Sequence, residues 1–231
     1  MHKSFQTLYY SYYGFSVLFC CICAGMAVCV GYLNRRKFEA LKLFFNYPLA
    51  SLVQVAIAVF LPFFIKGKTY GIINGAAANI FMLIEFIMIY SFFKQVFQSK
   101  KSQFILRIIT AIYLLDILIE WLVLQHFYNF PANLFTLQAI CILVPGFYYV
   151  FDIFKDHTRP NPIKDYSFWV SLSIIFYFSC TLPLFLLKDF AYNKKGVITE
   201  ASLYSINFIC YGVMFLLITK AYLCPKKEIT N

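Results

Sequence analysis

Seven stretches of the chain are near-continuous apolar runs separated by short polar clusters. Each is long enough for a helix across a bilayer, which needs about 20 mostly apolar residues. They cover roughly residues 10–33, 43–65, 72–93, 104–124, 134–154, 166–187 and 203–223. The third is the least apolar near its start, where Asn74, Gly75 and Asn79 fall. The second holds Pro48 near its start and Pro62 near its end, positions at which a helix tolerates a missing N–H. The first runs straight into Asn34-Arg35-Arg36-Lys37, a stop-transfer pattern, and so reads as a retained helix rather than a cleaved leader. The connecting segments are about a dozen residues or shorter, too short to hide a second domain. The pattern predicts one all-α integral membrane domain spanning residues 1–231, a single bundle of seven transmembrane helices.

Composition supports that class. Apolar and aromatic residues make up 61% of the chain and charged residues 13%, too little polar surface to coat a soluble globule. A soluble enzyme, a disordered tail and a nucleic-acid module are excluded on that ground, and the lipid bilayer is the partner that remains. The net charge of +10 reads as loop charge that orients helices rather than as a binding surface. Lys and Arg divide unevenly between the two ends of the predicted bundle. Fourteen, including Arg35, Arg36, Lys100, Lys101, Lys155 and Lys227, fall on one side, and six, including Lys3, Lys66 and Lys188, on the other. The positive-inside rule then puts the N-terminus outside and the C-terminus in the cytoplasm.

Seven of the eight cysteines, Cys20, Cys21, Cys23, Cys29, Cys141, Cys180 and Cys210, lie inside apolar runs, where Cys is a small hydrophobe and free thiols are expected. Cys21, Gly25 and Cys29 form a small-residue ridge on the first helix that would permit close packing. Cys20 and Cys23 have ligand-like spacing, but no further Cys or His falls at their depth. The histidines His2, His126 and His157 fall on different sides of the predicted bundle and cannot converge. Neither a metal nor another cofactor is expected. No nucleophile elbow, P-loop or Gly-rich phosphate cradle occurs, and no Lys sits deep enough in the last helix for a retinal Schiff base.

What chemistry the sequence does hold lies in the hydrocarbon. A charge there costs at least ~2.5–3.5 kcal/mol, so intramembrane acids normally face the bundle interior. Glu85 lies in the third helix, and Asp116 and Glu120 lie in the fourth at a four-residue spacing that puts both on one face with Tyr113. With Asn79 these form the candidate intramembrane polar site, and no catalytic residue is identified. Two readings stand side by side: a proton- or cation-responsive site, or protonated acids that hydrogen-bond Tyr, Asn or Gln and hold helices together. Glu85 and Asp116 are expected to point inward as two separate polar nodes. Gln54, Gln138, Asn79 and Asn207 read as hydrogen-bonding glue.

Within the third run, Asn79-Ile80-Phe81-Met82-Leu83-Ile84-Glu85-Phe86 resembles a motif of uncharacterised bacterial seven-transmembrane-helix inner-membrane proteins of about this length. Phe168-Trp169-Val170-Ser171, followed by Tyr177-Phe178, resembles the Phe-Trp start of helix six in the same family. Asn207, Tyr211 and Phe215 extend the likeness into the last helix, so it runs from about residue 70 to the end. Where that family carries a Gly soon after the Phe-Trp pair, this chain has Ser173. The resemblance implies a protein of the bacterial inner (cytoplasmic) membrane without an established activity. It implies no catalytic residue, but it makes Asn79, Glu85 and Trp169 part of a family pattern.

The expectation for function is a membrane sensor or signalling accessory that acts through a membrane-protein partner or a second copy of itself. A small transporter or channel using the buried carboxyls is the alternative, and a lipid-active enzyme the third. Without a catalytic signature the sequence leans against an enzyme.

Overall fold

A computed structural model describes residues 2–34, 44–65, 67–123, 126–128, 132–155, 161–186 and 197–224. Among them are seven long helices: α1 His2–Asn34, α2 Asn46–Phe64, α3 Lys68–Val96, α4 Lys100–Leu118, α5 Ala132–Lys155, α6 Tyr166–Leu186 and α7 Val197–Leu223. α4 runs on into a π-helical turn, Ile119–Val123, and a 3₁₀ turn follows at His126–Tyr128. Each helix contains or closely overlaps one of the seven apolar runs.

The turns between helices have identifiable chemistry. Gly67 adopts φ +69° between α2 and α3, a conformation L side chains resist. Ser99 caps α4 by accepting a 3.0 Å hydrogen bond from the Ser102 N–H. At the start of α6, Asp165 Oδ1 accepts from the Ser167 N–H at 2.9 Å. Close by, the Trp169 indole N–H donates to the Ile163 carbonyl at 2.8 Å, and Lys220 Nζ lies 6.0 Å from the Trp169 ring centre.

Six of the seven helices are long and apolar enough to cross a membrane, which by length and composition makes the chain a polytopic membrane protein. The expected fourth span differs. α4 carries Lys100, Lys101, Arg107 and Asp116 in 19 residues, and that charge lowers its hydropathy below that of the others. Its outward face is nevertheless apolar, with Phe104, Ile108, Ile112, Leu115 and Leu122 all exposed at helical spacing. α1 shows a similar stripe in Leu18, Ile22, Met26 and Leu33. Soluble monomers rarely leave such patches open, whereas a bilayer covers them.

The helices close into a ring. α1 packs most extensively on α7, α7 on α6 and α6 on α5; α1 also contacts α2, α2 contacts α3, and α3 and α4 complete the circuit against α5. The α1 seam is built from small residues, but not those of the expected ridge. Cys20, Cys23, Ala24, Ala27 and Gly31 are buried, whereas Cys29 is exposed and a Cβ on Gly25 would meet nothing within 4 Å. The ridge Cys21-Gly25-Cys29 lies about 140° around the helix from the true seam, on a face that a small-residue pattern alone does not distinguish from it. At the seam itself a Cβ on Gly31 would sit 2.8 Å from Phe45 and 2.9 Å from Tyr222, and one on Gly212 would sit 2.5 Å from Phe19.

All eight cysteines are free thiols in this arrangement. Alkylation of the denatured, unreduced protein is expected to add eight groups by intact mass, and prior reduction should add none. A mass short by two groups would mean a disulfide the bundle does not contain.

Candidate functional site

Glu85 lies at the centre of the bundle, 2% exposed, on the inner face of α3. Its Oε1 accepts a hydrogen bond from the Tyr47 hydroxyl on α2 at 2.7 Å, and its Oε2 accepts from the Gln138 amide on α5 at 2.8 Å. Gln138 is itself oriented, because the Tyr113 hydroxyl on α4 donates to its Oε1 at 2.9 Å. A 4.0 Å ring contact with Phe86 holds Tyr113 in place. Four helices thus converge on one carboxyl. No Lys or Arg among the described residues pairs with it.

The direction of one bond is free. The Tyr47 hydroxyl also lies 3.6 Å from Met214 Sδ on α7. If Glu85 is ionised, Tyr47 donates to it. If Glu85 carries a proton on Oε1, it can donate to Tyr47, which then turns its own hydrogen to the sulfur. The network accommodates either form without leaving a donor stranded. Beside it, Ser51 and Tyr211 share a 2.7 Å hydrogen bond, and the rings of Tyr177, Tyr211, Phe215 and Tyr47 follow one another at centre distances of 4.7, 4.8 and 6.2 Å.

A cavity of about 400 Å³ reaches this carboxyl from one end of the bundle. Its wall follows the helical repeat. α3 contributes Tyr70, Asn74, Ala78, Met82 and Glu85; α7 contributes Tyr204, Phe208 and Tyr211; α2 contributes Gln54 and Ala58. Glu85 is therefore the deepest α3 position in the wall, ~22 Å along the helix from Tyr70 at 1.5 Å per residue. Toward the opposite end the bundle is packed with aromatic side chains before a separate cavity of about 540 Å³ opens among Val96, Ser99, Ser102, Tyr149, Asp152 and Lys155. Phe44, Tyr47, Phe92, Phe93 and Phe215 are all fully buried in that packing.

The candidate residues separate accordingly. Glu85 and Tyr113 belong to one network, bridged by Gln138. Asn79 belongs to another: its amide donates to the Phe127 and Gly75 carbonyls at 2.9 and 3.0 Å, and its Oδ1 accepts from the Trp121 indole at 3.0 Å. Asn79 is thereby a clasp on the segment that follows α4. Glu120 is buried within the π-helical turn, outside the Glu85 network. Asp116 is half-buried, and its Oδ2 has no hydrogen-bond partner among the described residues. α4 and the π-helical turn beginning at Ile119 keep Asp116 and Glu120 within electrostatic reach of one another, as their four-residue spacing predicts.

Tyr47, the closest partner of Glu85, was not singled out from the sequence. A signal exists: Tyr47, Ser51 and Val55 recur every four residues on one face of α2 and are all buried. Among the described residues no group of three or more His, Cys, Asp or Glu could hold a metal.

Fold and site define a helical membrane bundle built around one buried carboxyl at the end of a cavity. No protein-family model, curated protein or solved structure matches the chain. The likeness to bacterial seven-helix inner-membrane proteins therefore rests on residues 79–86, the Phe168-Trp169 helix start and the short motifs after them.

Proposed function

We propose that this protein is a seven-helix membrane sensor or signalling accessory that binds a small ligand in the cavity above Glu85 and passes its occupancy to a membrane-protein partner. The observation that carries this reading is the cavity itself: about 400 Å³, within the range of small-molecule sites, and ending on a buried carboxyl held by three other helices. A ligand touching Glu85 bears directly on contacts to α2 and α5, and through Gln138 on α4. The packed aromatic residues below Glu85 close off a continuous pore in this conformation, which favours sensing over a channel. In this reading the signal leaves the bundle through a partner or a second copy.

In this reading α4 is also a span, its charges lying near its ends or toward the bundle. The N-terminus then lies outside and the cavity opens outward, with the bacterial inner membrane as its setting on the strength of the resemblance. Single-cysteine labelling is expected to place Lys100→Cys on the cytoplasmic side and Asn129→Cys on the outer side. Labelling of both from the same side would contradict seven spans.

Crosslinking in native membranes followed by purification tests the function. The expected result is a stoichiometric membrane-protein partner, or a dimer, whose crosslinked yield differs between wild type and Glu85→Gln. Recovery of the chain uncrosslinked in both would contradict a role as a signalling accessory.

A further inference from the structure

We infer that the ligand of this cavity is a small organic cation, an amine or quaternary ammonium with an apolar body, bound through the Glu85 carboxylate. The inference rests on the reading of the cavity as a ligand site and adds its chemistry. Three observations point the same way.

The first is charge. Among the described residues Glu85 is the only ionisable acid or base in the wall apart from tyrosines, and no described Lys, Arg or His lines the cavity to compensate it. A carboxylate in a membrane interior stays anionic only with a counter-charge and otherwise takes up a proton, and a cationic ligand entering the cavity would bring that counter-charge from outside the bundle. Each of its oxygens accepts one hydrogen bond from the protein, which leaves acceptor capacity on both for N–H donors.

The second is the surrounding surface. Tyr177 and Tyr211 lie beside Glu85 in the wall, and rings of this kind attract a cation through their faces while packing against its apolar part. Phe81, Phe135, Phe185 and Phe208 complete a lining suited to a hydrocarbon or aryl body. The third is the excess of acceptors. Asn74, nearer the other end of the cavity wall, keeps its Oδ1 buried without a hydrogen-bond partner among the described residues, an acceptor that a donating ligand would satisfy once the amide turns into the cavity. An anionic ligand would meet the carboxylate with no basic group to offset it.

The test uses the full chain in lipid nanodiscs and three matched probe series that share one aryl-alkyl body. These are arylalkylamines from benzylamine to 4-phenylbutylamine, the corresponding alcohols, and the corresponding carboxylates. Thermal stability is followed as each probe is titrated. The expected result is saturable stabilisation by amines, growing with body length, with alcohols much weaker and carboxylates without effect. Glu85→Gln should weaken the best amine about 30-fold or more while leaving the alcohols unchanged, because only the charge pairing is removed. Ala78→Leu, which narrows the cavity and keeps the carboxyl, should weaken amines and alcohols alike.

Stabilisation by alcohols or carboxylates as strong as by amines would keep the ligand site and overturn the cation. Failure of all three series would overturn both. Amine binding that survives Glu85→Gln at full strength would place the cation elsewhere and likewise overturn the inference.

Discussion

Gln138→Leu should lower the melting temperature by about 5–15 °C, the largest loss expected from any single polar side chain in the bundle. The reason is that one amide serves two buried groups. Without it the Tyr113 hydroxyl loses its acceptor and Glu85 Oε2 loses its donor, at positions 0% and 2% exposed. Each orphaned group costs about 1–3 kcal/mol. An average interhelical hydrogen bond in a bilayer is worth only about 0.6 kcal/mol, because the dissociated helices find other partners. The loss here exceeds that average because two groups are stranded at once, one of them a carboxyl. Gln138→Leu combined with Tyr113→Phe should recover part of the loss. Glu85→Gln should stay within about 1 kcal/mol of wild type, since Gln138 can donate to the new carbonyl and the new amide can donate to Tyr47, whose hydrogen turns to Met214. Equal melting temperatures for Gln138→Leu and wild type would show that the network does not hold the helices.

Gly212→Leu should be at least as damaging, by steric means alone. A Cβ at this position meets the Phe19 ring at 2.5 and 2.7 Å and the Cys20 backbone at 3.5 Å, so the remaining side chain has no space between α7 and α1. Overpacking a core commonly costs about 1–3 kcal/mol, and here the helix backbones must separate along the most extensive contact in the bundle. The better helix propensity of Leu over Gly returns less than ~1 kcal/mol. Gly212→Ala should fall between. Gly25→Leu is the control: it lies on the same kind of helix with nothing within 4 Å, and should be neutral or slightly stabilising. Equal effects at Gly25 and Gly212 would contradict the α1–α7 seam.

These two sites also show what could be read from the sequence. The helices were legible because seven apolar runs of membrane length leave little choice, and Glu85 stood out because a lone acid amid Leu, Ile and Phe has to be accommodated. The partner set was not legible. Tyr47 is 38 residues from Glu85 and Gln138 is 53 residues away, and helical periodicity gives a residue's face but not which faces meet across a bundle. The small-residue ridge failed for a related reason. Cys21-Gly25-Cys29 and Cys20-Ala24-Ala27-Gly31 both satisfy a small-residue repeat, and only the bulk of Phe19, Phe45 and Tyr222 in space selects the second. Asp116 had the same local character as Glu85, yet no Gln or Tyr hydroxyl from another helix reaches its Oδ2.

Photo-crosslinking distinguishes a ligand site that ends on Glu85 from an unoccupied void in the bundle. A 4-phenylbutylamine derivative carrying a diazirine on its ring would be irradiated with the protein in lipid nanodiscs and its adducts mapped by mass spectrometry. Adducts are expected on cavity-wall positions such as Phe81, Met82 and Phe208, competed away by unlabelled amine and strongly reduced in Glu85→Gln. Adducts confined to outward-facing residues such as Leu115 and Phe147, or a wall pattern indifferent to Glu85→Gln, would contradict a ligand site that ends on Glu85.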